Sequence, residues 1–279
     1  MQMCRNEKFA VSRHYTQKSQ ANFSMMRELR VFFTALQFFT RLPIPLWVGY
    51  EPSWVRVSAR YFPLIGILVG GVTAAILLFS AQGLPMPLAV LLSTAAGILL
   101  TGALHEDGFA DFCDGFGGGN TPGKIIEIMR DPRIGAFGAI GIGLLLAIKI
   151  VSLASMPAPT AAWALLLAHP LSRIAATTLI WRMRYAAPDG KASFVSQAIT
   201  LPIFFVACLP IAALLVIALS CDAFVTHSLL IAAGAMLIGT VWLARKFQCH
   251  LGGYTGDCLG AVQQVTEVLF YIGLLVQNH

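Results

Sequence analysis

Three aspartates, Asp107, Asp111 and Asp114, follow one another at intervals of four and three residues within the stretch ALHEDGFADFCDGFGGGN, residues 103 to 120. On a helix this spacing projects all three carboxylates from one face. Like charges so close repel, and the arrangement is costly unless a cation sits among them. Hard oxygen ligands in this number suit Mg²⁺ or Mn²⁺ rather than a soft metal. Gly108, Gly115 and the run Gly117 to Gly119 remove side chains beside the acids, which would let a bulky anion reach metal and backbone together. Downstream, MRDPRIG supplies Arg130 and Arg133 around Asp131, a pair of planar forks suited to phosphate oxygens. The competing reading is a solvated acidic loop with glycine linkers. Against it, six of the 13 acidic residues lie between Glu106 and Asp131 and follow a helical period.

The elements that must carry these residues are apolar. The chain is 279 residues long, 57% hydrophobic and only 11% charged, with a mean hydropathy of +0.74. An ordinary soluble domain is nearer half apolar. Runs of about 20 apolar residues, the length of a helical membrane span, extend from Tyr61 to Ser80, Leu84 to Leu104, Gly135 to Met156, Ala158 to Trp181, Thr200 to Ser220, Ala223 to Ala244 and Cys258 to Val276. They are long and continuous rather than short and alternating, which favours helices over a barrel. The expected fold is therefore all-α, a polytopic membrane bundle of about seven transmembrane helices. VFFTALQFF, ended by Pro43 and Pro45, is too short to span and predicts an interfacial or re-entrant helix ahead of them.

Lys and Arg alternate between the connections. Those around Ala81 to Gly83, Pro157 and Asp222 and the tail QNH carry none. The others hold Arg56 and Arg60; Lys124, Arg130 and Arg133; Arg182, Arg184 and Lys191; Arg245 and Lys246. The pattern places the N-terminus and the acidic motif on the cytoplasmic side. It also accounts for the net charge of +6, so no nucleic-acid partner is implied and the lipid bilayer is the expected one. Residues 1 to 24 hold no apolar core of signal-peptide length and are read as disordered; residues 25 to 279 form a single membrane-embedded domain. The six cysteines show no zinc or disulfide spacing.

The motif opens a connection of about 30 residues, longer than common helix links. Within it, Thr121 and Pro122 start a short amphipathic helix, PGKIIEIMRD. Among the buried charges, Lys149 reads as a deep structural partner and Arg173 as either a snorkelling side chain or part of the cavity. His169 reads as a satisfied interior histidine, Glu267 as an intramembrane ion-pair member or a catalytic acid, and Glu106 has no assigned role. Asp257, among glycines in LGGYTGDCLGA, repeats the pairing of glycine with acid. Two classes remain: a phosphotransferase that neutralises a diphosphate with metal, or a cation transporter. Transport sites lie near the midplane, whereas these acids lie at a span's end.

Five segments, FFTRLPIP at 38 to 45, YFPLIGILVG at 61 to 70, HEDGFADFCDG at 105 to 115, IMRDPRIGAFG at 128 to 138 and GGYTGDCLGA at 252 to 261, together resemble the cobalamin synthase family, the adenosylcobinamide-GDP ribazoletransferases. The resemblance runs in order from about Met25 to the C-terminus. It implies Mg²⁺-dependent transfer of the adenosylcobinamide phosphate group from adenosylcobinamide-GDP to α-ribazole or its 5′-phosphate, releasing GMP, at a bacterial inner membrane. It also implies a true start at Met25 or Met26, with residues 1 to 24 an upstream extension. The family's acidic motif is similar to that of CDP-alcohol phosphotransferases, whose further spaced aspartates are not reproduced; Asp131 would have to serve.

Joined to the residue chemistry, the resemblance assigns Asp107, Asp111 and Asp114 to metal, and Arg130, Arg133 and Arg173 to non-bridging phosphate oxygens. Gly115 and Asp257 complete the substrate site. Asp131 or Asp114 takes the proton of the attacking ribose 3′-hydroxyl, with His105 the second choice. A homo-oligomer or association with other corrinoid-pathway enzymes is left open.

Overall fold

The computed structural model describes residues 25–186, 201–221 and 223–276. Residues 1 to 24, Lys191, Asp222, the start of the fifth apolar run and the tail QNH lie outside the described residues. The described residues of the apolar runs are helical, the second run being broken into two helices, and no strand occurs among the described residues beyond an isolated bridge between Tyr185 and Tyr254.

Helix α1 covers residues 25–39, longer than the apolar stretch that announces it, and a 3₁₀ turn follows at Leu46–Val48. Then come α2, Pro52–Ser58, and α3, Phe62–Ser80, which join into one helical run from Ser53 to Ser80. Next are α4, Met86–Thr101; α5, Leu104–Gly118; α6, Pro122–Met129; and α7, Ala136–Ala154. The chain ends with α8, Ala158–Arg182; α9, Leu201–Ser220; α10, Thr226–Leu251; and α11, Gly256–Leu275.

Five described helices are long and apolar enough to cross a membrane, or six if the bent pair α4 and α5 counts as one span. That pair departs from the uninterrupted second run the sequence predicts. Helix α4 has 16 residues, about 24 Å by helix rise against a hydrocarbon layer of roughly 30 Å. It stops because Gly102 and Ala103 both take left-handed backbone, φ 67° and 59°. The N–H of Ala103 closes the end on the carbonyl of Ile98 at 2.9 Å, the pattern of a glycine-terminated helix. Gly102 suits this conformation, whereas Ala103 is strained by about 1–2 kcal/mol. The chain then leaves at 90° as α5, so the acidic motif lies on a separate helix that starts inside the bundle and emerges at its rim.

Glycines set how closely this helix approaches its neighbours. A Cβ at Gly108 would sit 3.0 Å from the Cα of Asp257, and one at Gly260 3.1 Å from the carbonyl of His105, both tighter than ordinary contact, so α5 and α11 cross in near backbone contact. Small residues serve helix contact in this way where lipid supplies no hydrophobic drive. Gly66 and Gly70 do the same for α3 against the α8 backbone around Pro170, seating the turn of α8 that carries His169 and Arg173. Thr121 caps α6, accepting from the N–H of Lys124 at 3.3 Å, while Ile125 and Met129 turn inward, as the amphipathic pattern predicts. The exit of α8 is tied to the α10–α11 connection by Ala186 N–H to Tyr254 O at 2.9 Å and Tyr254 N–H to Arg184 O at 3.0 Å.

Candidate active site

A cavity of about 370 Å³ opens among α1, α3, α5, α6, α8 and α11. Its lining includes His105 and Asp107 from the first turn of α5, Arg130 at the end of α6, Arg173 from α8, and Asp257 and Gln263 from α11. Five of the sequence-predicted site residues thus come together from four helices. The left-handed turn at Gly102 and Ala103 aims the first turn of α5 into this space, and the glycine crossing brings Asp257 beside it.

Arg173 is 1% exposed. One guanidinium nitrogen, Nη1, donates to the carbonyl of His169 at 2.8 Å, and the group lies 5.7 Å from the centre of the Phe39 ring. Its Nε and Nη2 have no hydrogen-bond partner. Arg173 therefore lines the cavity rather than snorkelling. A buried guanidinium with unmet donors calls for an anionic oxygen.

The acids of α5 divide. Asp107 lines the cavity. Asp111, one turn further along α5 and outside the cavity lining, has its carboxyl pushed up to about 7, first by burial and then by the charges of Asp107, Asp257 and Asp114. Asp114 is 8% exposed and turned away from the cavity. Its oxygens accept the N–H of Gly135 at 2.7 Å and of Gly138 at 2.8 Å, so it caps the N-terminus of α7, where the helix dipole favours an anion. Among the described residues no three His, Cys, Asp or Glu side chains converge closely enough to hold an ion alone. The donor chemistry nonetheless fits Mg²⁺, which is commonly held by one or two carboxylates with water and substrate phosphate. The mutual repulsion at Asp111 is the strain such a cation relieves.

The MRDPRIG turn also divides. Arg133 donates Nε and Nη2 to Asp131 at 2.9 and 2.7 Å, and its backbone N–H to the same carboxylate at 3.0 Å. These hydrogen bonds hold the Asp131 carboxyl down to about 2. Both lie outside the cavity lining, and the Arg133 side chain is 86% exposed. Gly115 packs on Met129 and Ile125, Gly117 on Phe137 and Gly119 on Ile125. The room these glycines leave is filled by α6 and α7, so they serve helix packing.

Deeper in the bundle the remaining ionisable residues find partners. Lys149 donates to Glu267 at 2.7 Å, and His169 Nδ1 lies 2.6 Å from the other oxygen of Glu267. Lys149 thus has the deep structural partner the sequence suggests, and of the two readings left open for Glu267 the ion pair is the one the fold provides. Glu106, unassigned from sequence, accepts from Gln264 at 2.8 Å. A polar chamber of about 20 Å³ is lined by Glu106, Lys149, His169 and Gln264 and shares His105, Arg173 and Gln263 with the larger cavity. Sequence reasoning missed Gln263 and the aromatic lining from Phe38, Phe39 and Phe62, because neutral polar and apolar residues in a span look like any other lipid or core contact.

Fold and site together define a polytopic membrane protein with an anion-suited, carboxylate-edged cavity at one rim. The family model for CobS, cobalamin-5-phosphate synthase, matches residues 31–275, and the chain belongs to that family. Curated relatives named adenosylcobinamide-GDP ribazoletransferase are similar along nearly their whole length. The one from Leptothrix cholodnii is 42% identical over 90% of this chain and 97% of its own. Those from Shewanella frigidimarina and Shewanella denitrificans are 39% and 37% identical, covering 90% and 91% of this chain and 95% and 96% of theirs. No solved structure matches.

Proposed function

We propose that this chain transfers the adenosylcobinamide phosphate group of adenosylcobinamide-GDP to α-ribazole or α-ribazole 5′-phosphate, giving adenosylcobalamin or its 5′-phosphate and GMP. The observation that carries the reading is Arg173, a fully buried guanidinium with two unpartnered nitrogens beside Arg130 and Asp107 in one cavity. Arg173 and Arg130 bind non-bridging oxygens of the diphosphate. Asp107 and Asp111 would hold Mg²⁺, with Asp257 on the facing helix. When bound, the ion offsets the charge of the diphosphate and of the departing GMP.

The 3′-hydroxyl oxygen of the ribazole ribose attacks the phosphorus on the corrinoid side. The bond from that phosphorus to the oxygen bridging to GMP breaks, and GMP leaves with the electron pair. Of the three candidate bases, His105 alone borders the cavity, and its Nε2 has no hydrogen-bond partner; it takes the hydroxyl proton. Asp131 stays engaged with Arg133 and Asp114 with α7. The distribution of Lys and Arg supports a rim facing the cytoplasm of a bacterial inner membrane.

The test is a reaction in reconstituted vesicles with adenosylcobinamide-GDP, α-ribazole and Mg²⁺, following GMP and the corrinoid product. Wild type forms both; EDTA and Asp111→Asn each abolish them. Absence of product from wild type, or full activity in EDTA, overturns the reading.

A further inference from the structure

A second hollow, of about 440 Å³, is lined by Met26, Arg27 and Arg30 of α1 and by Glu51, Ser53 and Trp54 around the start of α2. It shares no lining residue with the cavity or the polar chamber. The Arg30 guanidinium lies 5.5 Å from the centre of the Trp54 ring, and its Nε has no hydrogen-bond partner. The acid beside it on α1, Glu28, is already engaged by Arg60 at 2.7 Å and by the Tyr61 hydroxyl at 2.7 Å. Among the described residues neither Arg27 nor Arg30 enters an ion pair. Glu51 accepts from the Ser53 hydroxyl, and a carboxylate retains capacity for further donors.

The surroundings put this hollow at headgroup depth. The helical run from Ser53 to Ser80 has 28 residues, about 42 Å by helix rise, longer than a hydrocarbon layer of roughly 30 Å and close to that layer with its headgroups. Leu46 is fully exposed, Tyr50 largely so and Trp47 about half, and Trp and Tyr are characteristic of the membrane interface. Met25, Met26 and Leu29 are exposed along α1, as on a helix lying in the interface plane.

We infer that this hollow binds the headgroup of an ammonium-bearing phospholipid, phosphatidylethanolamine in class, with Arg27 and Arg30 on the phosphate and Glu51 on the ammonium. The charges decide the class. Two guanidinium groups suit one phosphodiester, and a carboxylate in the same lining suits a cation. Phosphatidylglycerol brings the phosphate but no cation for Glu51. The quaternary ammonium of phosphatidylcholine has no N–H to donate. A soluble phosphate would leave Leu46 and Met26 uncovered, whereas the acyl chains of a lipid lie against such residues. Bound there, the headgroup joins α1 to the helical run from Ser53. Phe38, which borders the cavity, lies eight residues beyond Arg30, about 12 Å along α1, so the lipid steadies that helix from its far end. The inference does not depend on the reaction proposed above.

The experiment is native mass spectrometry of the full chain in detergent, titrated separately with phosphatidylethanolamine, phosphatidylglycerol and phosphatidylcholine of identical acyl chains. Wild type retains phosphatidylethanolamine roughly tenfold more tightly than either of the others, the worth of one hydrogen bond to a charged group. Glu51→Gln removes that margin. Arg30→Gln weakens all three lipids by about tenfold on the same scale. Should Arg30→Gln fail to fold, Arg27→Gln, at an exposed position of α1, is expected to weaken them in the same direction. Soluble O-phosphoethanolamine is added as competitor and does not displace the lipid. Equal retention of the three lipids by wild type overturns the inference, as does unchanged retention in the arginine variants. Full displacement by O-phosphoethanolamine makes the hollow a site for free phosphate compounds and overturns it as well.

Discussion

The deep cluster around Glu267 and the rim around Asp111 contain the same kinds of side chain under opposite conditions. Glu267 is 0% exposed and meets Lys149 at 2.7 Å and His169 at 2.6 Å, so every charge there faces an opposite charge or a polar neighbour. At the rim Asp111 has Asp107, Asp257 and Asp114 as its electrostatic neighbours, all of one sign. A membrane protein bears the cost of buried charge in both places. Where the charges answer one another the cost is met by the fold; where they do not, a ligand must meet it. Arg173 belongs to both, held by the His169 carbonyl on one side and carrying unmet donors beside the cavity on the other.

Changing each region in turn sharpens this contrast. The largest effect is expected at the rim in turnover: Asp107→Asn lowers kcat at least about a hundredfold, the scale of losing one stabiliser of transition-state charge, while the melting temperature in detergent stays unchanged or rises as repulsion is relieved. A drop in melting temperature with kcat intact would make the rim structural. Next in size is Glu267→Gln, which strands Lys149 and destabilises the fold by about 3–5 kcal/mol, seen as earlier unfolding in denaturant. Adding Lys149→Met to it recovers much of the loss. If Glu267→Gln unfolds normally, the deep pair is not what holds α7 to α11.

How far the sequence announces this arrangement differs between the two regions. The apolar runs, the cap at Thr121 and the helical spacing of the acids are local patterns, and the helices follow them. The 90° break after α4 escapes reading because Gly102 sits in an otherwise continuous apolar run, and Ala103 adopts left-handed backbone against its own preference. Once that break is known, the acids separate: Asp107 joins the cavity and Asp114 turns to α7. Spacing along a helix fixes which carboxylates share a side; it says nothing of what packs on each. Glu106 is the clearest case, its partner Gln264 lying 158 residues away. The deep charges were recognisable as needing partners, since an intramembrane lysine must have one, but the choice of Glu267 came from packing.

The MRDPRIG turn provides the smallest and most discriminating test. By sequence, Arg130 and Arg133 form one phosphate fork; in the fold Arg130 borders the cavity while Arg133 is spent on Asp131. Arg133→Ala is therefore expected to change kcat and KM by less than about twofold, the usual outcome for an exposed residue outside the site, whereas Arg130→Ala raises the KM for adenosylcobinamide-GDP. The Asp131 carboxyl, held down to about 2, returns towards its ordinary value in Arg133→Ala, measurable by carbon-detected NMR of labelled protein. The sign follows from linkage: a depressed carboxyl stabilises the turn above its unfolded value, and that contribution is lost as pH falls through about 2. At neutral pH, then, Arg133→Ala removes a contact of the turn without touching the proposed proton acceptor. Should its kcat instead collapse, Asp131 would return as the base, and the division between the rim cavity and the turn beside it would fall.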